Sequence, residues 1–207
     1  TTFLTANVAA TNQWFIGTAA ANGGTKGAYV SNDAGVTNAY GLTTISTNHI
    51  YAPITVPAGE SAVVLSFDWR GIGEYDAATS DFDYLRVSVS SSAPIGGTFP
   101  ALADQLPIRF SGQDNFTKAY VNLPASIADG APRFIIFTWR NDGSLGFQTP
   151  SAIDNVSITS QVPAPLSGSK SIPGDYPSIG AAIANLNANG ADTSGGSLTF
   201  NVAAGST

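Results

Sequence analysis

Two stretches of strict alternation dominate the hydrophobic pattern. Within residues 61–70, Val63, Leu65, Phe67 and Trp69 fall on one side, and Val64, Ser66, Asp68 and Arg70 fall on the other. Within residues 81–90, Leu85, Val87 and Val89 alternate with Tyr84, Arg86 and Ser88. Successive side chains of a strand point to opposite faces, so each stretch predicts a strand with one buried and one largely solvated face. Residues 133–140 are apolar on both sides, Ile135, Phe137 and Trp139 against Phe134 and Ile136, which predicts a central strand. Shorter apolar runs predict strands at 14–16, 28–30, 108–110, 119–123 and 152–158, and the Pro53-bearing run 50–57 reads as an edge. Gly-, Pro- and Asn-rich turns separate these runs, and no segment before Ser160 has a convincing helical period. The expected fold is an all-β jelly-roll β-sandwich over residues 1–160.

After Ser160 the pattern changes. Residues 161–170, QVPAPLSGSK, read as a Pro/Ser/Gly linker. In residues 171–207, Pro177 suits the first turn of a helix whose Ile179, Ala182, Ile183 and Leu186 share one face, and Gly190 is a stop signal. Leu198, Phe200 and Val202 then alternate as a strand. One short helix and one strand cannot bury a core alone, so this segment is expected to be the N-terminal fragment of a second domain.

Composition narrows the setting. Charged residues make up only 11% of the chain, where about 25% is usual, so the surface must be built from Thr, Ser, Asn, Gly and Ala. The net charge is −6 and the eight basic residues are scattered, which argues against nucleic acid and against anionic membrane surfaces as partners. No apolar run approaches the roughly 18 residues of a membrane span. Cysteine is absent, which excludes a disulfide framework and Cys-based zinc sites. Methionine is absent too, so Thr1 is not a translation start, and removal of a signal peptide is the expected reason.

Few residues invite chemistry. Asp83 shares the face of Leu85 and Val89, and Asp154 shares by parity the face of Ala152, Val156 and Ile158, so both carboxylates are expected to point inward. An inward carboxylate requires a cation, an arginine such as Arg70 or Arg140, or several backbone donors. Trp69-Arg70 and Trp139-Arg140 end the two best strands; by register the indoles belong to the core and the guanidiniums face out. His49 is the only histidine and has no nucleophile-elbow pattern beside it. Glu74 with Asp76 is conceivable as a glycosidase pair, but reads better as a solvated acidic loop.

Two stretches, VVLSFDWRGIGEYDAATSDFDYLRVSVS and FTWRNDGSLGFQTPSAIDNVSI, resemble the MAM-like jelly-roll domains of bacterial surface proteins, the cleaved-adhesin and choice-of-anchor J group. The resemblance runs from about Trp14 to Ile158. It implies a structural Ca2+ near Asp154, with Asp83 and Asp81 as further ligands. The acidic strand that usually opens this family has no counterpart in residues 1–12. Separately, GDYPSIGAAIANLNANG followed by LTFNVAAG resembles the start of β-helix or repeat regions in Bacteroidota proteins exported by type IX secretion. Together these resemblances imply a non-catalytic extracellular module of a large cell-surface adhesin. Its partners would be the secretion machinery and a glycan or protein on a host or environmental surface. The alternatives are an accessory carbohydrate-binding module of a secreted hydrolase and a structural subunit of a surface filament.

Overall fold

The computed structural model describes residues 2–8, 11–76, 80–162, 165–192 and 197–205, with the backbone alone for Asp76, Ser80, Asp81 and Ala188. In chain order the strands are β1 (Leu4–Ala6), β2 (Gln13–Gly17), β3 (Gly27–Ser31), β4 (Ser46–Ile54), β5 (Ser61–Gly71), β6 (Glu74–Asp76) and β7 (Ser80–Ser90). They continue with β8 (Gln105–Phe110), β9 (Gln113–Asn122), β10 (Arg133–Asn141), β11 (Ala152–Gln161), β12 (Gly168–Ile172) and β13 (Leu198–Val202). A single α-helix among the described residues, α1 (Ile179–Asn189), lies between the last two.

One sheet has the order β1-β4-β10-β7-β6 with β8 also on β7, and the other has the order β2-β3-β11-β5-β9. All their pairings are antiparallel. The chain changes sheet between β1 and β2, β3 and β4, β4 and β5, β5 and β6, β8 and β9, β9 and β10, and β10 and β11. This repeated crossing between two facing antiparallel sheets is the jelly-roll sandwich that the pattern predicts.

The core is the set of inward positions of both sheets. Leu65 and Phe67 of β5, Leu85 and Val87 of β7, and Ile135 and Phe137 of β10 are essentially sealed from solvent. Phe67 packs edge-on against Phe137 at 5.1 Å and against Phe110 at 5.3 Å, which ties one sheet to the other. β10 is central, as its two apolar faces require: it pairs with β4 on one side and β7 on the other. β1 covers β4 only from His49 to Tyr51, so Pro53 sits where β4 has no neighbour on that side, a position that tolerates a strand proline. β4 begins at Ser46, earlier than the apolar pattern shows, because its first residues are buried polar ones, among them Asn48 and His49.

Two expectations about the sandwich need correction. Asp154 does not share a face with Val156 and Ile158. The ladder with β5 shifts between Asp154 and Ser157, and Asn155 takes a left-handed φ of 50°. This bulge changes the phase of β11: Ile153 belongs to the core, Val156 and Ile158 pack against that same core, and Ala152 lies with Tyr29 and Ala20 on the outer side of the sheet. Nor is the polar face of β5 simply solvated. Asp68 is only 6% exposed, because residues 18–26 fold over this part of the sheet.

In the C-terminal segment, β12 and β13 pair in parallel. β12 starts at Gly168, inside the stretch that reads as linker. Ser178 caps α1 by accepting from the Ala181 N–H at 3.2 Å, so Pro177 precedes the cap rather than entering the first turn. Gly190, at φ +72°, ends the helix and donates to the Leu186 carbonyl. Ala182 is buried, whereas Ile183 of the same stripe is 52% exposed.

Phe137→Ala should remove the ring that joins the two sheets and cost about 3–5 kcal/mol. The check is the urea unfolding midpoint; a loss below about 1 kcal/mol would contradict the central role assigned to β10.

Candidate functional site

The site starts from one residue. Asp83 lies near the start of β7 on its inward face and is wholly buried. Its Oδ1 accepts the Asp142 N–H at 2.9 Å, and its Oδ2 accepts the Tyr40 hydroxyl at 2.8 Å. Glu74 is its cross-strand partner on β6, and Asp142 follows directly on the end of β10. Ligand oxygens of Glu74, Asp83 and Asp142 all lie within 4.8 Å of one another. Gly146 sits over the cluster at φ +104°; a Cβ there would collide with the Tyr40 hydroxyl and stand 2.8 Å from Asp83 Oδ2. Only glycine lets the loop approach this closely.

The surrounding loops are fastened by amide side chains. Gln148 donates to the Tyr40 carbonyl at 2.7 Å and accepts from the Tyr40 N–H at 3.2 Å. Asn12 and Asn141 both donate to the Gly41 carbonyl, at 3.1 and 2.9 Å. Tyr40 also meets Trp139 edge-on at 5.2 Å, which sets the floor of the site on the core.

Charge balance is the notable property here. The ion pairs formed among the described residues, Lys118 with Asp68 and Arg133 with Asp129, lie elsewhere. Glu74 Oε2 is buried and has no hydrogen-bond partner. Burial pushes the Asp83 carboxyl up to about 6, with the Asp142 and Glu74 charges adding, against the lowering effect of its two hydrogen bonds. Burial likewise pushes Glu74 upward, helped by the Asp142 charge. Burial, together with Asp83, pushes the Tyr40 phenol up, which keeps it a donor. Three converging carboxylates, one of them an orphaned buried oxygen, form an oxygen-only donor set that suits a hard divalent cation such as Ca2+.

The residues singled out in the sequence divide. Asp83 is inward and central to this cluster. Asp154 is not brought to it. Asp154 Oδ2 accepts the Asn22 N–H at 2.7 Å, and its Oδ1 accepts the Asn155 N–H at 2.7 Å, so loop amides serve it. It lies opposite Asp68, which binds Lys118 at 2.7 Å and accepts from the side chains of Asn22 and Asn155 at 3.0 and 2.7 Å. Asp81 pairs through its backbone with Tyr75, and its side chain lies outside the described residues. Asp142 was not visible as a ligand because it sits in a loop, where the alternation rule gives no direction. Glu74 was visible only as a neighbour of Asp76.

The remaining candidates are structural. Trp14, Trp69 and Trp139 are buried. Arg70 lies over the Phe116 ring at 5.2 Å and donates to Asn38, and Arg140 donates to the Asn141 carbonyl. His49 is fully buried, with Nδ1 2.9 Å from Thr138 Oγ1 and Nε2 3.2 and 3.0 Å from the carbonyls of Ile95 and Thr98. Carbonyls only accept, so Nε2 carries the proton, and burial pushes the ring's pKa down. Nε2 holds the loop through those carbonyls, and Nδ1 is taken up by Thr138 of β10.

No family profile and no curated protein matches this sequence. Among solved structures, TmCBM61, in complex with β-1,4-galactotriose, aligns over 77% of this chain and 88% of its own, at 9% identity and TM-score 0.45. The K1 cleaved adhesin domain of Lys-gingipain from Porphyromonas gingivalis W83 aligns over 77% and 90%, at 18% identity and TM-score 0.45. The enzymatically active domain of tailspike protein 4 from bacteriophage CBA120 aligns over 77% of this chain but 19% of its own, at 13% identity and TM-score 0.41. Likeness this distant carries no function to this chain.

Without metal, Asp83 retains a proton in the fold that it gives up in the unfolded chain. Its contribution to stability is therefore full below about pH 4 and lost as the pH rises through about 6. In chelator, Asp83→Asn should gain on the parent protein across that interval. Urea midpoints measured from pH 4 to about 7 that keep a constant difference would contradict the assignment.

Proposed function

We propose that this chain is a non-catalytic binding module of the extracellular bacterial surface, with a structural Ca2+ held by Glu74, Asp83 and Asp142. The observation that carries the metal reading is the buried carboxylate Asp83 beside an orphaned Glu74 oxygen, with no cationic side chain paired to either. A cation would offset the mutual repulsion and tie β6, β7 and the loop after β10 together; in that role it shapes a surface and takes no part in a reaction. Asp83, at 0% exposure, cannot touch a substrate, and His49 is committed to loop carbonyls, which favours binding over catalysis.

The module serves adhesion or display, and its ligand is a glycan or protein on another surface. An accessory carbohydrate-binding module of an exported hydrolase would use the same chemistry and differ in what the module is joined to. No helix among the described residues is long and apolar enough to cross a membrane. Attachment through a repeat region and export by type IX secretion belong to the same reading.

Thermal unfolding tests the metal. Ca2+ at about a hundred times its Kd should stabilise the fold by about 2.7 kcal/mol, and chelator should reverse the gain. Glu74→Gln with Asp142→Asn should abolish the response while leaving a folded protein. An unchanged midpoint with and without Ca2+ would remove the ion. Binding of the Ca2+-loaded chain to an immobilised glycan panel tests the ligand class; silence across the panel would leave a protein partner.

A further inference from the structure

Residues 91–104, between β7 and β8, contain no strand and only one short 3-10 turn, Leu102–Asp104. Loops this long with little regular structure are uncommon in compact domains. This one is pinned at four points onto the outer face of the first sheet. Gly97 N–H donates to the Thr47 carbonyl at 2.8 Å. The buried His49 donates to the carbonyls of Ile95 and Thr98. Phe99 stacks on Tyr84 at 6.5 Å with an interplanar angle of 21°. Gln105 Nε2 donates to the Pro100 carbonyl at 2.7 Å. Both ring nitrogens of His49 are satisfied in this arrangement, so the imidazole is buried without an orphaned donor and the loop is held in one shape.

The loop borders a half-open depression of about 270 Å3. Ile136, fully buried on β10, lies at its floor, and Ser90, Ser92, Phe99, Asp104 and Ile95 are among its walls. Among the described residues no lysine, arginine or histidine lines it, so none of them would hold an anion there. A wholly apolar ligand would leave the serines and the carboxylate without partners. Adjacent hydroxyls of a sugar can donate together to Asp104 and exchange hydrogen bonds with Ser90 and Ser92. The C–H face of the same ring can lie on Phe99 and Ile95, which are exposed at the rim. The volume is at the small end for ligand sites, which suits a single ring.

We propose that this cavity is a subsite for one neutral sugar residue, with Asp104 as its bidentate acceptor. The proposal rests on the reading of the chain as a binding module and specifies where a glycan would engage it. It is independent of the calcium cluster, whose residues it does not share.

The test is a titration of the isotope-labelled chain in Ca2+ buffer with the methyl glycosides of galactose, glucose and mannose, followed by amide chemical shifts. At least one glycoside should give saturable shifts confined to residues 90–104 and their neighbours on β7 and β10. Asp104→Asn should weaken that binding about tenfold or more, and Ser92→Ala by a smaller factor, with the remaining spectrum unchanged. Undiminished binding in Asp104→Asn would overturn the proposal, as would shifts that appear only with ethanolamine or phosphate. Saturable shifts that map elsewhere would overturn it while leaving the glycan-binding module intact. Absence of shifts with every glycoside, combined with a silent glycan panel, would remove both.

Discussion

The loop end of this sandwich depends on how one buried negative charge is accommodated. Asp83 enters the core on the same face as Leu85 and Val87, where water cannot reach it. A carboxylate in that position must be surrounded by donors or by positive charge. The chain answers with the Tyr40 hydroxyl and the Asp142 N–H, and both answers fix backbone. Tyr40 commits the segment before β4, and Asp142 commits the turn after β10. Glu74 and Asp142 then add charge of the same sign within 4.8 Å, which raises the cost of keeping Asp83 ionised. Three loops from distant parts of the sequence thus share one electrostatic problem.

A second theme is the use of neutral hydrogen-bonding side chains where other proteins use ion pairs. Asn12 and Asn48 are fully buried, and they join β2, β4 and the first loops. Asn48 donates to the Asn12 carbonyl, and the Trp14 indole donates to the Asn48 carbonyl. His49, Gln148 and Gln105 do the same for other loops. Amides and a neutral imidazole can be buried at much lower cost than charges, provided each donor is matched. The low content of charged residues therefore shows in the loops as well as on the surface, where amides share with a few carboxylates the work of fixing backbone.

The sandwich was legible in the sequence because period-two alternation reports burial directly, and β5, β7 and β10 follow it closely. The first half of β4 was not legible, since Asn48 and His49 are polar yet sealed beneath a loop and the chain end before β2. Asp83 was readable by register for the same reason as its apolar neighbours. Glu74 and Asp142 were not, because bulged strands and loops have no fixed parity and only the folded backbone decides where their carboxylates meet. Asp154 shows the limit of the rule from the other side. Parity assigns it inward, and a single left-handed residue at Asn155 reverses that assignment. The pinned loop over His49 left no trace in hydropathy, because its contacts run through carbonyls.

The bulge at Asn155 also has a consequence for how the closing strand finds its place. Before it, odd-numbered residues of β11 face the core; after it, even-numbered ones do. Sliding β11 along β5 by one residue would turn both halves away from the core, and sliding by two would keep parity but carry the bulge and its Asp154–Asn22 and Asn155–Asp68 contacts off their partners. A uniform strand has several near-equivalent alignments separated by two residues, whereas this one is keyed like a stepped lock. The strand that closes the sandwich in chain order is thereby hard to seat out of register.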